Sequence, residues 1–539
     1  MGIVLSCSRN YAMLADMEVD YARRERLLLG MLNARIILAA LRGALALFKL
    51  DYPDALHRLA VAPDTGVEAP PGLQLPCTGN VLDEWAKKVE ADVCEALDSF
   101  GPPSAGNLLG QNTLVSLSLI RPKCITIDGA RVADRVLIMF DDAHTLTASQ
   151  RVRLLKELIE LRSPVSIWVA ERFEALSSDE VLSSGAIVGR DYDSVVLLER
   201  FWREKNRRQR FEKLLLGIAD RRVRAATAVE IDSFDPCLQS SLEGTRWQER
   251  IVPAISEATQ RVRTLAGETQ RYQEWISACG KAEETAIEKL IAWRALEILI
   301  ERDKRKAQQT FDFFPLSSKE LEERDGSDVQ AAAKLFLAHE LDLPYYYGPR
   351  CLANLASSNI EQFLWLAGDQ FEEAVSAALL KKPTDLPPER QEKIIRKAVH
   401  LWWEEIPRRV RDGREVRNFI QAIGEFANWV TYQPNAPYSP GVTGIAISMS
   451  DRDSLRDPKS AKFQALRRVV SSAIAHNLLE PILDYEVKGG RWMVLYLNRV
   501  LCVQFELPLH YGGFRERKLT ELCQWLEQGF RPKKGGSLL

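Results

Sequence analysis

Surplus charge is almost absent from this sequence: 72 Lys and Arg stand against 74 Asp and Glu, a formal net charge of -2 over 539 residues. No global field draws such a chain to nucleic acid or membrane, so any basic surface has to be local. Long apolar runs are missing as well. Ile36–Leu41 and Ala44–Phe48 are broken by Arg42 and Lys49, short of the roughly 18–20 residues that a membrane span needs. The expectation is a cytoplasmic protein with no membrane partner. Cysteine is sparse: Cys7, Cys77, Cys94, Cys124, Cys237, Cys279, Cys351, Cys502 and Cys523 include no C-x-x-C pair and no histidine at metal spacing, so they read as reduced core residues. The 6 histidines lie far apart. Only His144 falls near any other candidate chemistry.

The apolar fraction of 46% and charged fraction of 27% are those of ordinary globular proteins, and the length suits two to four domains. Gly2–Ser6 fits a loose myristoylation pattern, but Ile3-Val4-Leu5 reads better as a buried strand. A helix is expected over 18–48, where Leu28, Leu32, Ile36 and Ala40 recur four apart. Residues 50–78 read as loop and 80–100 as helix. Val115–Ile120 and Ile125–Asp128 read as an edge hairpin. Three more strands follow: Arg135–Phe140, Pro164–Ala170 and Ser194–Leu198, with a helix over 149–162 between the first two. Short apolar strands alternating with helices predict an α/β domain around a parallel sheet.

After Glu199 the pattern is helical. Arg200–Arg224 carries ten basic residues, read either as a solvated helix face or as a face for phosphates or a partner. Residues 243–310 predict a hairpin of long helices with Trp275, Ile276, Leu290, Trp293, Leu296 and Leu299 in the seam. Helices over 392–403, 415–429 and 461–477, then Pro481–Val487 and Trp492–Val503 joined through Gly489-Gly490, resemble a winged helix-turn-helix. There Lys462, Arg467, Arg468, Lys488 and Arg491 are placed to meet DNA phosphates, or a protein, in a winged-helix docking mode.

The strongest chemical signal is Val136-Leu137-Ile138-Met139-Phe140-Asp141-Asp142, a Walker B pattern. A buried parallel strand holds two acids rigidly at the carboxyl edge of the sheet, where ligands bind. Asp141 can hold a magnesium shell and Asp142 can polarise an attacking water. Glu171, ending the next strand, stands where a polar sensor of the γ-phosphate is expected. Arg190 in Gly189-Arg190-Asp191-Tyr192 can act across a subunit boundary as a finger.

With Gly348-Pro349-Arg350-Cys351-Leu352-Ala353-Asn354-Leu355, the segment Ser357–Leu364 and the winged-helix pattern following in order, the chain resembles AAA+ ATPases of the origin-recognition and replication-initiator clade, in particular their bacterial initiator-like members. The resemblance implies an AAA+-like α/β core over 1–225, a helical insertion over 226–345, a helical lid over 346–385 and a winged-helix domain over 386–539. It implies ATP and Mg2+ as cofactors, Asp142, Glu171 and Arg190 as catalytic residues, Asp141 at the metal, and Arg350 as a second sensor at the nucleotide. Partners would be DNA through the winged helix, and another protein or a second copy through the core.

One element of that pattern is missing. A P-loop needs G-x-x-x-x-G-K-[ST], because backbone amides cradle the phosphates while lysine and hydroxyl bind γ-phosphate and magnesium. The single Gly-Lys, Gly280-Lys281, is followed by Ala282. Gly2–Ser6 matches the family's second strand, so the expectation is an incomplete core that begins downstream of its P-loop. The family's first strand would lie between Pro164–Ala170 and Ser194–Leu198, leaving a gap about 9–10 Å wide without it. The alternative is a non-catalytic DNA-binding or protein-interaction protein on a degenerate ATPase fold, with bacterial anti-phage defence as one setting.

Overall fold

Alternation of apolar and polar residues sets the first strand, β1 (Gly2–Ser6), with Ile3 and Leu5 buried and Val4 outward. The computed structural model describes residues 1–8, 11–17, 19–63, 67–98, 112–160, 165–172, 205–226, 231–242, 244–279, 285–309, 327–357, 359–433, 441–457, 459–487, 490–509 and 513–532. The chain divides into two compact units: Met1–Ser177 with Val188–Asp193, and Ser178–Ile187 with Ser194–Leu539.

In the first unit β1 leads to α1 (Tyr21–Leu47), which starts where the Asp20 carboxylate accepts the Arg23 amide at 2.9 Å, a cap worth about 1 kcal/mol. This helix is long and apolar enough to cross a membrane, but most of it is buried inside the fold, the position of a core helix. The chain continues through β2 (Leu59–Val61), β3 (Cys77–Thr78), α2 (Gly79–Asp98), α3 (Ser116–Leu119), β4 (Ile125–Ile127), β5 (Ala130–Arg131), β6 (Leu137–Asp141), α4 (Ala148–Glu160) and β7 (Ser166–Val169).

The main sheet has the order β1-β6-β7 and is wholly parallel, with Ile3, Ile138 and Ile167 in one register row and Leu5, Phe140 and Val169 in another. That arrangement fits an α/β AAA+-like core. Its inward face packs into the core with α1. On its other face Val4, Met139 and Trp168 share a row, and Val4 and Trp168 are 59% and 65% exposed. Among the described residues nothing pairs with the outer edge of β7. The strand expected at Ser194–Leu198 lies outside the described residues.

The expected hairpin of Val115–Ile120 with Ile125–Asp128 does not form. Residues 116–119 are helical, and β4 instead joins β2 and β5 in a small antiparallel sheet of order β3-β2-β4-β5. Tertiary anchors decide this: the Ser116 amide donates to Asn33 Oδ1 at 2.9 Å and the Leu114 amide to Glu157 Oε1 at 3.1 Å. Over six residues an apolar run cannot distinguish the two periods.

Among the described residues the second unit has α5 (Lys205–Ala225) as its first element. It continues through α6 (Thr245–Ala266), α7 (Gln270–Ala278), α8 (Ala286–Gln309) and α9 (Ser327–Leu341). Trp275, Leu290, Leu296 and Leu299 of the expected seam are buried, while Ile276 and Trp293 are partly so. Helix α9 joins α6 and α8, through Ala333 and Leu337, as a third long helix. Next come α10 (Pro349–Leu355), α11 (Ile360–Leu379), α12 (Pro388–Arg409), α13 (Gly413–Thr431), β8 (Val442–Ser448), α14 (Met449–Arg456), α15 (Gln464–Ala475), β9 (Leu479–Val487), β10 (Gly490–Leu497), α16 (Arg499–Gln504), β11 (Gly513–Glu516) and α17 (Leu519–Gln528).

The expected two-stranded hairpin is thus part of a four-stranded sheet, β11-β8-β10-β9, in which β8 is antiparallel to β10 and parallel to β11. The second expected strand stops at Leu497, because the Asn498 side chain accepts the Val500 amide at 3.0 Å and starts α16.

Candidate functional site

Strand β6 delivers Asp141 to the carboxyl end of the parallel sheet, in register with Ser6 of β1. Inward Ile138 and Phe140 are fully buried and fix the strand, so the alternation turns Asp141 to the open side, where it is exposed. Asp142 then takes a left-handed conformation, φ 57° and ψ 35°. That costs a non-glycine residue about 1 kcal/mol, least for Asp or Asn. The turn is held from three sides. The Asp142 amide donates to Asp141 Oδ1 at 3.0 Å, Thr145 Oγ1 lies 2.8 Å from the carbonyl oxygens of both Cys7 and Asp142, and the Ala143 amide donates to Ala170 O at 3.0 Å. The Asp142 side chain is 45% exposed, with His144 Nδ1 3.9 Å from its Oδ1.

Burial, aided by the carboxylates of Asp142 and Asp141, pushes the Cys7 thiol up to about 12. Cys7 is therefore a protonated thiol beside the acids and no thiolate ligand.

Glu171 closes β7 beside this corner, but both of its oxygens are engaged: Arg151 Nε reaches Oε2 at 2.5 Å and its terminal nitrogen reaches Oε1 at 2.8 Å. Arg151 itself is nearly buried on α4. The sequence reading missed Arg151 and Thr145, since neither pairing follows from spacing along the chain. It could have caught the start of α4. Thr147 and Gln150 form a capping box, with the Thr147 amide donating to Gln150 Oε1 at 3.1 Å and the Gln150 amide to Thr147 Oγ1 at 3.4 Å. Arg190 lies outside the described residues.

A magnesium nucleotide fits this corner in part. Asp141 and Asp142 offer carboxylates open to solvent, suited to a hydrated hard cation, whereas the 539 residues contain no G-x-x-x-x-G-K-[ST] to grip the phosphates.

Arg350 belongs to the second unit. Gly348 has φ +85°, open to glycine and strained for other residues, and Pro349 opens α10 at the position where a missing amide costs nothing. Arg350 then projects outward, 76% exposed, with Glu212 of α5 at 3.7 Å. Its base is held firmly. The Gly348 amide donates to Gln391 Oε1 at 2.8 Å, and the Tyr346 hydroxyl lies 2.8 and 2.6 Å from the carbonyl oxygens of Cys502 and Leu507. Behind α10, Asn498 Oδ1 accepts Gln362 Nε2 at 3.1 Å, its Nδ2 donates to Asn477 O at 2.7 Å, and the Arg499 amide donates to buried Ser357 Oγ at 3.0 Å.

The C-terminal cations are mostly engaged. Arg468 meets Glu415 at 2.7 Å and Asp412 at 3.2 Å; Arg491 meets Glu486 at 3.3 Å and Asp484 at 3.8 Å. Arg467 donates to Arg456 O at 3.2 Å. Lys462 is exposed, its ammonium 5.3 Å from the centre of the Phe463 ring. Lys488 lies outside the described residues.

Comparison with known proteins gives a family match. The chain resembles no curated protein and no solved structure at a significant level, but the sequence model of the ORC-CDC6-like family matches residues 80–519. That span takes in the acid pair, Glu171, Arg350 and the C-terminal sheet. Over this length the match is decisive: the chain belongs to the ORC-CDC6-like family, within the origin-recognition clade of AAA+ proteins.

Proposed function

We propose that the chain serves as an initiator-type molecular switch whose nucleotide state governs DNA or protein binding. One observation carries this reading: a rigid parallel strand ends in two solvent-facing acids, the second held in a left-handed turn by Thr145 and Ala170. Strain kept at such a strand end is a hallmark of functional corners. Asp141 would face the hydrated magnesium, Asp142 would orient and deprotonate a water, and Arg350 and Arg190 would offset phosphate charge. Bound ATP and Mg2+ would supply the phosphoryl group and the counter-charge. Arg151 keeps Glu171 in place as a sensor candidate. The C-terminal element, with exposed Lys462 and with Arg467, Arg468 and Arg491, would be the DNA-facing element.

The test is ATP turnover by the full chain with Mg2+. Asn also tolerates the left-handed turn, so Asp142→Asn keeps the fold. It should lower kcat by about 100-fold or more and leave nucleotide affinity within twofold. Equal turnover in variant and parent would remove the assignment. A second reading, a non-catalytic binding protein on the same fold, is favoured by the missing phosphate-gripping motif. Absence of any ATP binding in a direct titration would select it.

A further inference from the structure

Helix α5 carries a second charged surface. Phe211, Leu215, Ala219 and Val223 are buried along one side of it. Arg210, Lys213, Gly217, Arg221 and Arg224 fall at i, i+3, i+7, i+11 and i+14, one face of a helix. All four cations are exposed. Arg221 Nε donates to Gly217 O at 3.1 Å and Arg224 Nε to Asp220 O at 3.2 Å, which lays both guanidinium groups along the helix. Among the described residues no carboxylate pairs with any of the four. The helix's own acids face elsewhere: Glu212 is turned to Arg350, and Asp220 Oδ1 accepts the Ser233 hydroxyl at 3.0 Å and the Phe234 amide at 2.8 Å.

We propose that this stripe binds the phosphate backbone of duplex DNA without reading its bases. From Arg210 to Arg224 it runs about 21 Å, roughly six base-pair rises. At its centre a Cβ on Gly217 would meet nothing within 4 Å, so a broad polyanion can lie close. A protein partner would need an apolar or aromatic anchor at the middle of the patch, and among the described residues the exposed large apolar side chain beside it, Leu214 at 40%, lies at its edge. The Arg468 and Arg491 pairs of the C-terminal element have their charge offset; this stripe does not. The inference goes beyond the switch and does not depend on nucleotide.

The experiment is fluorescence anisotropy of a labelled mixed-sequence duplex with the full chain over a salt series. Replacing Arg210, Lys213, Arg221 and Arg224 together by Gln should weaken binding at least about tenfold and make the log K against log salt slope shallower by about 3.6, at 0.9 per phosphate. Gly217→Asp, which adds a carboxylate in open space, should weaken binding in the same direction with the melting temperature unchanged. Affinity and slope equal to the parent's in both variants would overturn the inference. So would unchanged DNA binding together with loss of binding to polyglutamate, which would assign the stripe to an acidic protein. A parallel variant with Lys462, Arg467, Arg468 and Arg491 changed to Gln separates the two surfaces. Loss there alone supports only the C-terminal reading, and loss in the α5 set alone supports only this one.

Discussion

The two main sheets of this protein meet their surroundings in opposite ways. In β11-β8-β10-β9 the central strands are buried on both faces, with Val442–Ile447 and Met493–Leu497 sequestered along their whole length. In β1-β6-β7 only the inward rows are covered, while Val4 and Trp168 stand in solvent on the other face and β7 has an open edge among the described residues. The C-terminal sheet contains its own core. Among the described residues the N-terminal sheet is a half-covered platform, and its acids sit at the rim of that open side. Stability and chemistry are thus expected in different places.

The largest effect should come from the covered sheet. Leu495→Ala removes a fully buried side chain of β10 and should cost about 2–5 kcal/mol in urea unfolding, whereas Trp168→Ala should change stability by about 0.5 kcal/mol or less. Equal losses would end the contrast. Two glycines sharpen it at intermediate size. A Cβ on Gly424 would meet the Phe505 ring at 2.4 Å, while Gly217 faces open space. Gly424→Ala should therefore destabilise by about 1–3 kcal/mol and Gly217→Ala should stabilise by about 0.5–1 kcal/mol, read as shifts of opposite sign in the melting temperature. The last prediction concerns Cys7. Its thiol titrates at about 12 against an ordinary 9.0, so the folded state holds the proton more tightly. The associated stability is complete below pH 9 and is lost as pH climbs toward 12. Iodoacetamide at pH 8.5 should leave Cys7 unmodified in the native protein and label it after denaturation, as followed by peptide mass spectrometry. Native labelling at the rate of a free thiol would contradict the buried end of β1.

Much of this was legible in the sequence where burial and period coincide. Val136–Phe140 reads as a strand because both its neighbours and its inward face hide it, and α1, α2 and α4 follow from recurring apolar positions. Strand β8 was not legible: Gly444 interrupts its short apolar run, and the glycine is needed because a Cβ would meet Leu495 O at 2.8 Å, a partner supplied fifty residues later. The same limit applies to the site. The acid doublet is a local pattern, but the Arg151 grip on Glu171 and the Arg468 pairs with Asp412 and Glu415 join distant segments. Those pairings decide which charges remain available, and composition carries no trace of them.

The buried polar knot around Ser357, Gln362, Asn498 and Tyr346 has a mechanical consequence. It ties the root of the Arg350 helix to the turn between β10 and α16, and to α16 itself, by hydrogen bonds that are buried or half-buried. Moving the Arg350 helix would therefore strain those bonds and pass the displacement to the start of α16.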